Sequence, residues 1–206
     1  MSNFFNCIFC NDKNFHTLLS TENFNLSLDN FPIIPGHILL VSKFHFGCMR
    51  DLSNDLLHEL TELKNKITSS FHLNNLQCIF YEHGRSGNCS FEKAKCEHFH
   101  LHCLPIDLDI TDELKQFNKA IRISQTQTSL FDLKKHYMEY GNYLYFQNKE
   151  GYFYPENDKY DTPPHFLRTL ICGKLGHFNR SNWKLYSKNS IFLESIEFFE
   201  KLNLNI

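Results

Sequence analysis

The segment His98-Phe99-His100-Leu101-His102-Cys103-Leu104-Pro105 decides how this chain folds. Histidines alternate with apolar residues over it, and a period of two predicts a β-strand with one imidazole face and one apolar face. Side chains two residues apart on a strand are about 6.6 Å from each other, so the imidazoles form a row. Pro105 ends the strand because it has no amide proton to donate. The segment therefore predicts a strand that packs on one side and carries chemistry on the other.

The chain has 12 histidines among 206 residues, so three at strict alternation would be a rare coincidence. Imidazole titrates near neutral pH and serves as a nucleophile, a base or a metal ligand. The row therefore indicates either a catalytic strand or a metal site.

A second signal is the pair Cys7 and Cys10, which are separated by two residues. Two thiolates at this spacing can bind one tetrahedral cation through a tight turn. A thioredoxin-like redox pair has the same spacing, but it needs a βαβ context that the neighbouring sequence does not supply. A metal site would need two more ligands from elsewhere in the chain, and histidine is the natural supplier.

The run from Asp29 to His45 joins an acid, a turn and a strand. Pro35-Gly36 predicts a turn, and the apolar residues after it predict a strand over residues 37–41. Any one of these residues alone is more often structural than functional. Their combination, with a histidine at the start of the strand and another beyond its end, indicates a functional segment.

The remaining patterns predict the rest of the architecture. Apolar residues recur at helical spacing from Asp51 to Phe71, with Ser53 or Asp51 as the N-cap. Two aromatic strands on either side of residues 148–151 predict a hairpin. Further helices are predicted over residues 165–174 and 190–202.

These elements predict an α+β fold, a mostly antiparallel sheet with one long helix, extended by a helix-rich C-terminal region that contains the hairpin. The sequence changes character near residue 107. We therefore expect a catalytic domain of residues 1–107 and an extension of residues 108–206 that packs on it.

Composition narrows the classes of function. Apolar and charged fractions of 42% and 21% are those of a folded protein. A net charge of −2 argues against charge-driven binding of nucleic acid. No stretch approaches the roughly 18 apolar residues of a membrane span, and the first residues do not resemble a signal peptide. We therefore expect a cytoplasmic protein with reduced cysteines and neither a membrane nor a nucleic-acid partner.

The motifs together resemble the histidine triad (HIT) family of nucleotidyl hydrolases and transferases. The family signature is His-φ-His-φ-His-φ-φ, where φ is apolar, and residues 98–104 satisfy it. Residues 35–45 are similar to the upstream Pro-Gly-His motif, and residues 81–84 to a Phe-Glu-His-Gly segment of one bacterial branch. The cysteine pair matches members that carry a structural zinc. The resemblance covers about residues 5–107 and implies a HIT-like sheet there.

The resemblance implies a role for each matching residue. His100 would be the nucleophile that attacks an α-phosphorus, His102 would hold the phosphate or set the tautomer, and His37 would orient the cluster. Asp29 would receive the hydroxyls of a ribose. The residues that would line the base pocket are Phe24, Leu28 and Phe31.

The resemblance also implies a structural zinc ion. Its ligands would be Cys7, Cys10, His45 and His98. Four protein ligands leave no open position, so the metal would support the fold rather than activate a water. Binding His98 would hold the strand that carries His100 two residues later.

One residue departs from the family pattern. Members usually have a glycine and a serine or threonine just before the triad, and Lys95 stands there in this chain. A lysine can neutralise the charge of a phosphate with a less directional contact than a hydroxyl, or it can be a solvated loop cation. The preferred leaving group is therefore open.

The expected activity is hydrolysis of a purine nucleotide conjugate, such as a dinucleoside polyphosphate or a nucleoside phosphoramidate, through a nucleotidyl-histidine intermediate. Two alternatives stay open. One is a nucleotidyltransferase or phosphorylase whose acceptor is not water, and the other is a nucleotide-binding zinc protein without turnover. Family members are often dimers, whereas the extension of this chain could cover that surface, so a homodimer and a monomer both stay open.

Overall fold

The computed structural model describes ten stretches of the chain. They are residues 7–10, 15–84, 98–117, 122–123, 130–132, 143–148, 151–153, 155–156, 165–183 and 189–202. Among the predicted site residues, Lys95 lies outside them.

The described residues form nine strands and four helices with assigned bounds. The strands are β1 Thr17–Ser20, β2 Phe24–Leu28, β3 Ile38–Ser42, β4 Ile79–Gly84, β5 His100–Leu104, β6 Arg122–Ile123, β7 Tyr143–Asn148, β8 Gly151–Phe153 and β9 Pro155–Glu156. The helices are α1 Asn54–Leu73, α2 Thr111–Phe117, α3 Phe166–Lys174 and α4 Asn189–Lys201. Short 3-10 helices cover Met49–Asp51 and Phe178–Arg180.

Seven of the strands make one sheet in the order β1-β2-β3-β5-β4-β7-β8, and every neighbouring pair is antiparallel. Strands β6 and β9 pair separately. The predicted α+β fold with a mostly antiparallel sheet and one long helix is therefore confirmed.

The histidine strand β5 is at the centre of this sheet, between β3 and β4. In its register with β3, His102 lies opposite Leu39 and His100 lies opposite Val41. A central strand has hydrogen-bonded neighbours on both sides, so its backbone is held along its whole length. The residues that alternate along it therefore have well-defined positions.

One face of the sheet packs against α1 and α4. Helix α1 begins at Ser53, whose side chain accepts a hydrogen bond from the Leu56 amide, as an N-cap does. Its buried stripe meets apolar residues of five strands. The core on this face includes Phe24, Leu28, Ile38, Leu57, Leu60, Ile67, Phe71, Phe99, Leu101, Cys103, Tyr145 and Phe199.

A second core covers part of the opposite face, where α2 and α3 pack. It includes Ile79, Tyr81, Leu104, Leu114, Phe146, Phe166, Leu167 and Ile171. His100 and His102 alternate with the buried residues of β5 and therefore lie on this second face. They are only partly buried.

Elements on both sides of residue 107 share this architecture. The predicted hairpin is confirmed, with β7 paired to β8 and Asn148 opposite Gly151, so its loop is shorter than expected. Helix α4 meets the Pro-Gly turn, where Ser195 Oγ accepts a hydrogen bond from the Gly36 amide at 3.1 Å. Gly36 has φ +82°, and a Cβ there would come within 2.7 Å of Phe198. The division at residue 107 stays a prediction.

Across the described stretches, the structure contains no helix with the length and apolar character of a membrane span.

A buried acid lies beneath the sheet on the α1 face. Glu82 is 4% exposed, and its carboxylate accepts hydrogen bonds from the Met49 amide at 2.9 Å and the Tyr143 hydroxyl at 2.5 Å. Burial raises the pKa of Glu82 from the ordinary 4.5 to about 8, although both hydrogen bonds favour the charged form.

Glu82 predicts a specific dependence of stability on pH. Between pH 4.5 and about 8, the folded state keeps a proton that the unfolded chain releases, so the stability contributed by this group falls as the pH rises. Relative to a Glu82→Gln variant, we expect the free energy of unfolding of the wild type to fall by up to about 4 kcal/mol between about pH 5 and pH 8. Urea unfolding of both proteins at the two pH values measures this. Parallel pH profiles would contradict it.

Candidate functional site

Two cysteines and two histidines converge at one end of the histidine row. The ligand atoms of Cys7, Cys10, His45 and His98 all lie within 4.8 Å of one another. Sulfur-to-nitrogen distances are 3.4 Å from Cys7 to His98 and 3.3 Å from Cys10 to His45, and the two Nδ1 atoms are 3.2 Å apart. The tertiary fold thus brings together residues that are up to 91 positions apart in the sequence.

This cluster has the chemistry and the spacing of a tetrahedral metal site. Ligands at about 2.3 Å for sulfur and 2.0–2.1 Å for nitrogen place tetrahedral S···N pairs about 3.6 Å apart and N···N pairs about 3.3 Å apart. The observed separations agree with these values. The four residues can therefore hold a metal ion, and two thiolates with two imidazoles are a donor set typical of zinc.

The protein orients His98 for this role. Its Nε2 donates to the Ser42 carbonyl at 2.7 Å, which leaves Nδ1 as the unprotonated nitrogen facing the cysteines. Burial lowers the pKa of His98 to about 4, so the ring is neutral at physiological pH, as a metal ligand must be.

His100 is held in one tautomer by its own strand. Its Nδ1 donates to the carbonyl of His98 at 2.7 Å, so the lone pair of a neutral ring is on Nε2. Burial lowers the pKa of His100, which keeps the ring neutral. On its other side, the ring of Phe9 stacks on His100 with centroids 4.6 Å apart. His100 therefore presents an oriented, unprotonated nitrogen.

A pair of linked imidazoles lies beyond His100. The Ile33 amide donates to His37 Nδ1 at 3.2 Å, so the ring proton of His37 is on Nε2. That nitrogen donates to His102 Nδ1 at 2.9 Å, and His102 in turn keeps its proton on Nε2. Burial lowers the pKa of both rings well below the ordinary value, with a smaller contribution to the same effect from Arg168. Both rings of the pair are neutral. Nε2 of His102 carries a proton, whereas Nε2 of His100 carries a lone pair.

Asp29 closes this end of the row. One of its oxygens accepts a hydrogen bond from the Phe31 amide at 2.8 Å. The other is 3.3 Å from His37 Nδ1, 3.8 Å from His102 Nδ1 and 3.5 Å from Arg168 Nη1. The spacing of this acid and two histidines also suits a cation. Arg168 supplies a positive charge there, and the rings of His37 and His102 are hydrogen-bonded to each other. The group is therefore better described as a hydrogen-bonded relay.

Two of the predicted base-pocket residues are elsewhere. Phe24 and Leu28 belong to the core against α1, on the sheet face opposite His100 and His102. They therefore do not border the histidines. Phe31 follows Asp29 by two residues, is partly exposed and has its ring against Trp183.

The sequence patterns missed three residues that contact the site. Phe9 covers His100, and Tyr81 stacks on His102 with parallel rings whose centroids are 4.3 Å apart. The third is Arg168 of α3, which is 5% exposed. A signal for it existed, because Arg168 precedes the buried Ile171 and Cys172 by three and four positions and so shares their helix face.

Comparison with known proteins identifies the family of this chain. The family model described as "Protein similar to CwfJ C-terminal" matches residues 1–121. The chain belongs to this HIT-like family. The resemblance to histidine triad proteins is therefore confirmed, whereas the zinc-containing branch stays a prediction. No curated protein sequence matches this HIT-like chain.

Several solved structures are similar to parts of the HIT-like chain. A hypothetical histidine triad nucleotide-binding protein from Sulfolobus tokodaii is 24% identical over 48% of this chain and 68% of its own, with a TM-score of 0.37. A HIT family hydrolase from Clostridium thermocellum is 18% identical over 50% and 94%, with a TM-score of 0.36. Yeast Ap4A phosphorylase in complex with AMP is 14% identical over 71% and 61%, with a TM-score of 0.41.

The cysteine–histidine cluster predicts bound metal. We expect about one zinc ion per purified chain, and we expect Cys7→Ser to lose the metal and lower the unfolding midpoint, because a structural site contributes folding energy directly. Elemental analysis and thermal unfolding measure both effects. Cys172→Ser, a buried thiol outside the cluster, is the control that should keep its zinc. Full zinc content in Cys7→Ser would contradict the assignment.

The buried ion pair predicts coupling between Asp29 and Arg168. Asp29→Ala should cost about 3 kcal/mol of unfolding free energy because it leaves a buried guanidinium without its carboxylate. The double variant with Arg168→Met should cost clearly less than the sum of the single variants. Urea unfolding of the wild type, the two single variants and the double variant measures the coupling. The exposed pair of Lys201 and Glu197 is the control and contributes at most about 1 kcal/mol. Additive losses would show that the charges do not interact.

Proposed function

We propose that this HIT-like protein cleaves a nucleotide conjugate at its α-phosphorus, with His100 as the nucleophile. One observation carries the proposal. The hydrogen bond from His100 Nδ1 to the His98 carbonyl leaves Nε2 unprotonated, and the lowered pKa keeps it so near neutral pH. A neutral, oriented imidazole is the form that attacks phosphorus.

His102 complements this nucleophile. The relay from Ile33 through His37 leaves a proton on His102 Nε2, so this ring donates a hydrogen bond where His100 offers a lone pair. The two rings are adjacent, with centroids 5.0 Å apart. We assign His102 to the non-bridging phosphate oxygens, whose negative charge grows as His100 attacks. His37 acts through His102 as a positioning residue.

Asp29 is proposed to receive the ribose diol. A carboxylate has about four acceptor positions, so it can bind hydroxyls in addition to the Phe31 amide and Arg168. Its 3.8 Å separation from His102 suits a ribose attached to a phosphate at the imidazoles.

We also propose that the metal bound by Cys7, Cys10, His45 and His98 is a structural zinc ion. This ion would hold His98, whose backbone carbonyl accepts a hydrogen bond from His100 Nδ1.

The reaction has two steps. His100 Nε2 forms a bond to the α-phosphorus while the bond from phosphorus to the leaving oxygen or nitrogen breaks, and that atom takes up a proton. Water then attacks the same phosphorus, loses a proton and breaks the P–N bond, which releases a nucleoside monophosphate. Two displacements replace one that is harder.

A substrate panel and a matched pair of variants test the proposal. Dinucleoside polyphosphates, nucleoside phosphoramidates and nucleotide sugars are supplied with and without inorganic phosphate, and the nucleotide products are identified. We expect wild type to cleave at least one and His100→Asn to lose at least about a hundredfold in kcat, because it lacks the attacking nitrogen. His72→Asn, on the exposed end of α1, should keep full activity.

The intermediate gives a second readout. A substrate labelled at the α-phosphorus should leave acid-labile label on wild type and none on His100→Asn. Normal turnover by His100→Asn would remove His100 as the nucleophile, and no turnover by wild type across the panel would favour a binding protein. A nucleoside diphosphate that appears only with added phosphate would identify phosphate as the acceptor.

A further inference from the structure

Two arginines clamp residues 165–183 to the loop that carries Asp29. Arg168 approaches Asp29 through Nη1 at 3.5 Å and donates from Nη2 to the Phe31 carbonyl at 2.5 Å. Its Nε donates to the carbonyl of Arg180 at 3.0 Å. Arg180 in turn donates from Nη1 to the Ile33 carbonyl at 2.5 Å. The loop and the C-terminal segment are therefore held together by charge-assisted hydrogen bonds.

This clamp places Trp183 against Phe31. The ring centroids are 5.2 Å apart and the planes are inclined at 48°. The indole Nε1 donates to His165 Nε2 at 3.2 Å, which fixes the rotation of the ring. Both aromatic side chains are partly exposed, so they form an angled surface that a ligand can reach. We call this surface of Phe31 and Trp183 the aromatic corner.

The aromatic corner adjoins the proposed ribose position. The Phe31 amide donates to one Asp29 oxygen at 2.8 Å, and the other oxygen lies 3.8 Å from His102 Nδ1. In a nucleotide, the carbon that carries the base is bonded directly to a carbon that carries one hydroxyl of the diol. A base attached to a ribose at Asp29 therefore lies beside this loop.

We infer that Trp183 binds the nucleobase by stacking and that the C-terminal segment thereby supplies part of the nucleotide site. The inference rests on the proposed function, because it takes Asp29 as the ribose acceptor. Every nucleobase has an aromatic face, and an indole held in one orientation offers it a large stacking surface at little cost in side-chain entropy. The C-terminal segment thus contributes to ligand affinity as well as to packing.

Trp183 is the only tryptophan in the chain, so tryptophan emission, excited at a wavelength that the nine tyrosines do not absorb, reports on this position alone. Wild type is titrated with AMP and with ribose 5-phosphate, which has the same phosphate and sugar but lacks the base. We expect saturable quenching by AMP and little or none by ribose 5-phosphate. This comparison needs no variant and no turnover.

Variants test whether the contact contributes to affinity. Trp183→Ala should weaken AMP binding at least about fivefold by calorimetry, since stacking on an aromatic side chain is worth that much or more. Trp183→Phe keeps a ring and should lose less. Phe178→Ala is the matched control, because Phe178 is an exposed aromatic residue of the same segment and should leave the affinity unchanged.

Different outcomes separate this inference from the proposed function. AMP binding by calorimetry without a change in Trp183 emission, or an unaltered affinity in Trp183→Ala, would overturn the inference while leaving turnover by His100 intact. Failure of AMP to bind at millimolar concentration would overturn it as well. Suppose that AMP quenches Trp183 emission and that Trp183→Ala binds AMP more weakly, but that the wild type cleaves no substrate. That result would sustain the inference and count against the proposed function.

Discussion

Burial of one side of β5 is the constraint on which the rest of the site depends. Leu101 and Cys103 of β5, with Phe99 just before it, are at most 1% exposed, in the core against α1. Because side chains alternate across a strand, removing these three from water requires His100 and His102 to face the other way. A shift of one residue in register would exchange the two faces and expose the apolar set. The hydrophobic core therefore determines where the imidazoles point.

The same burial sets the protonation of the histidines. Desolvation is the largest cause of the lowered pKa at His37, His98, His100 and His102. Neutral rings must each place one proton, and fixed backbone groups decide where it goes. The Ser42 carbonyl accepts a hydrogen bond from the His98 ring, and the His98 carbonyl accepts one from the His100 ring. The Ile33 amide donates to His37 Nδ1. Within one row of histidines, His98 is therefore oriented as a metal ligand, His100 presents a lone pair and His102 presents an N–H donor.

The C-terminal region is integrated with this site. Strand β7 extends the sheet beside β4, and α3 carries Arg168 to Asp29. The pair is nearly excluded from water, with 6% and 9% of its side chains exposed. A charge in such a place is tolerated only with a partner, so the loop at Asp29 and the helix α3 depend on each other. Loop and helix together form the edge of the site nearest Phe31.

Local patterns predict the histidine strand, the strand over residues 37–41, the long helix, the hairpin and the helices over residues 165–174 and 190–202, because periodicity and turn residues act locally. The structure adds β1 and identifies Ser53 rather than Asp51 as the N-cap. Spacing indicated the cysteine pair, and the family resemblance added His45 and His98, so all four members of the cysteine–histidine cluster were expected before the fold was known. Tertiary contacts alone place Phe24 and Leu28 away from the histidines, bury Arg168 against Asp29 and bring Phe9 over His100. Each of these depends on which distant elements become neighbours, and no local pattern encodes the partner that a buried charge or ring will meet.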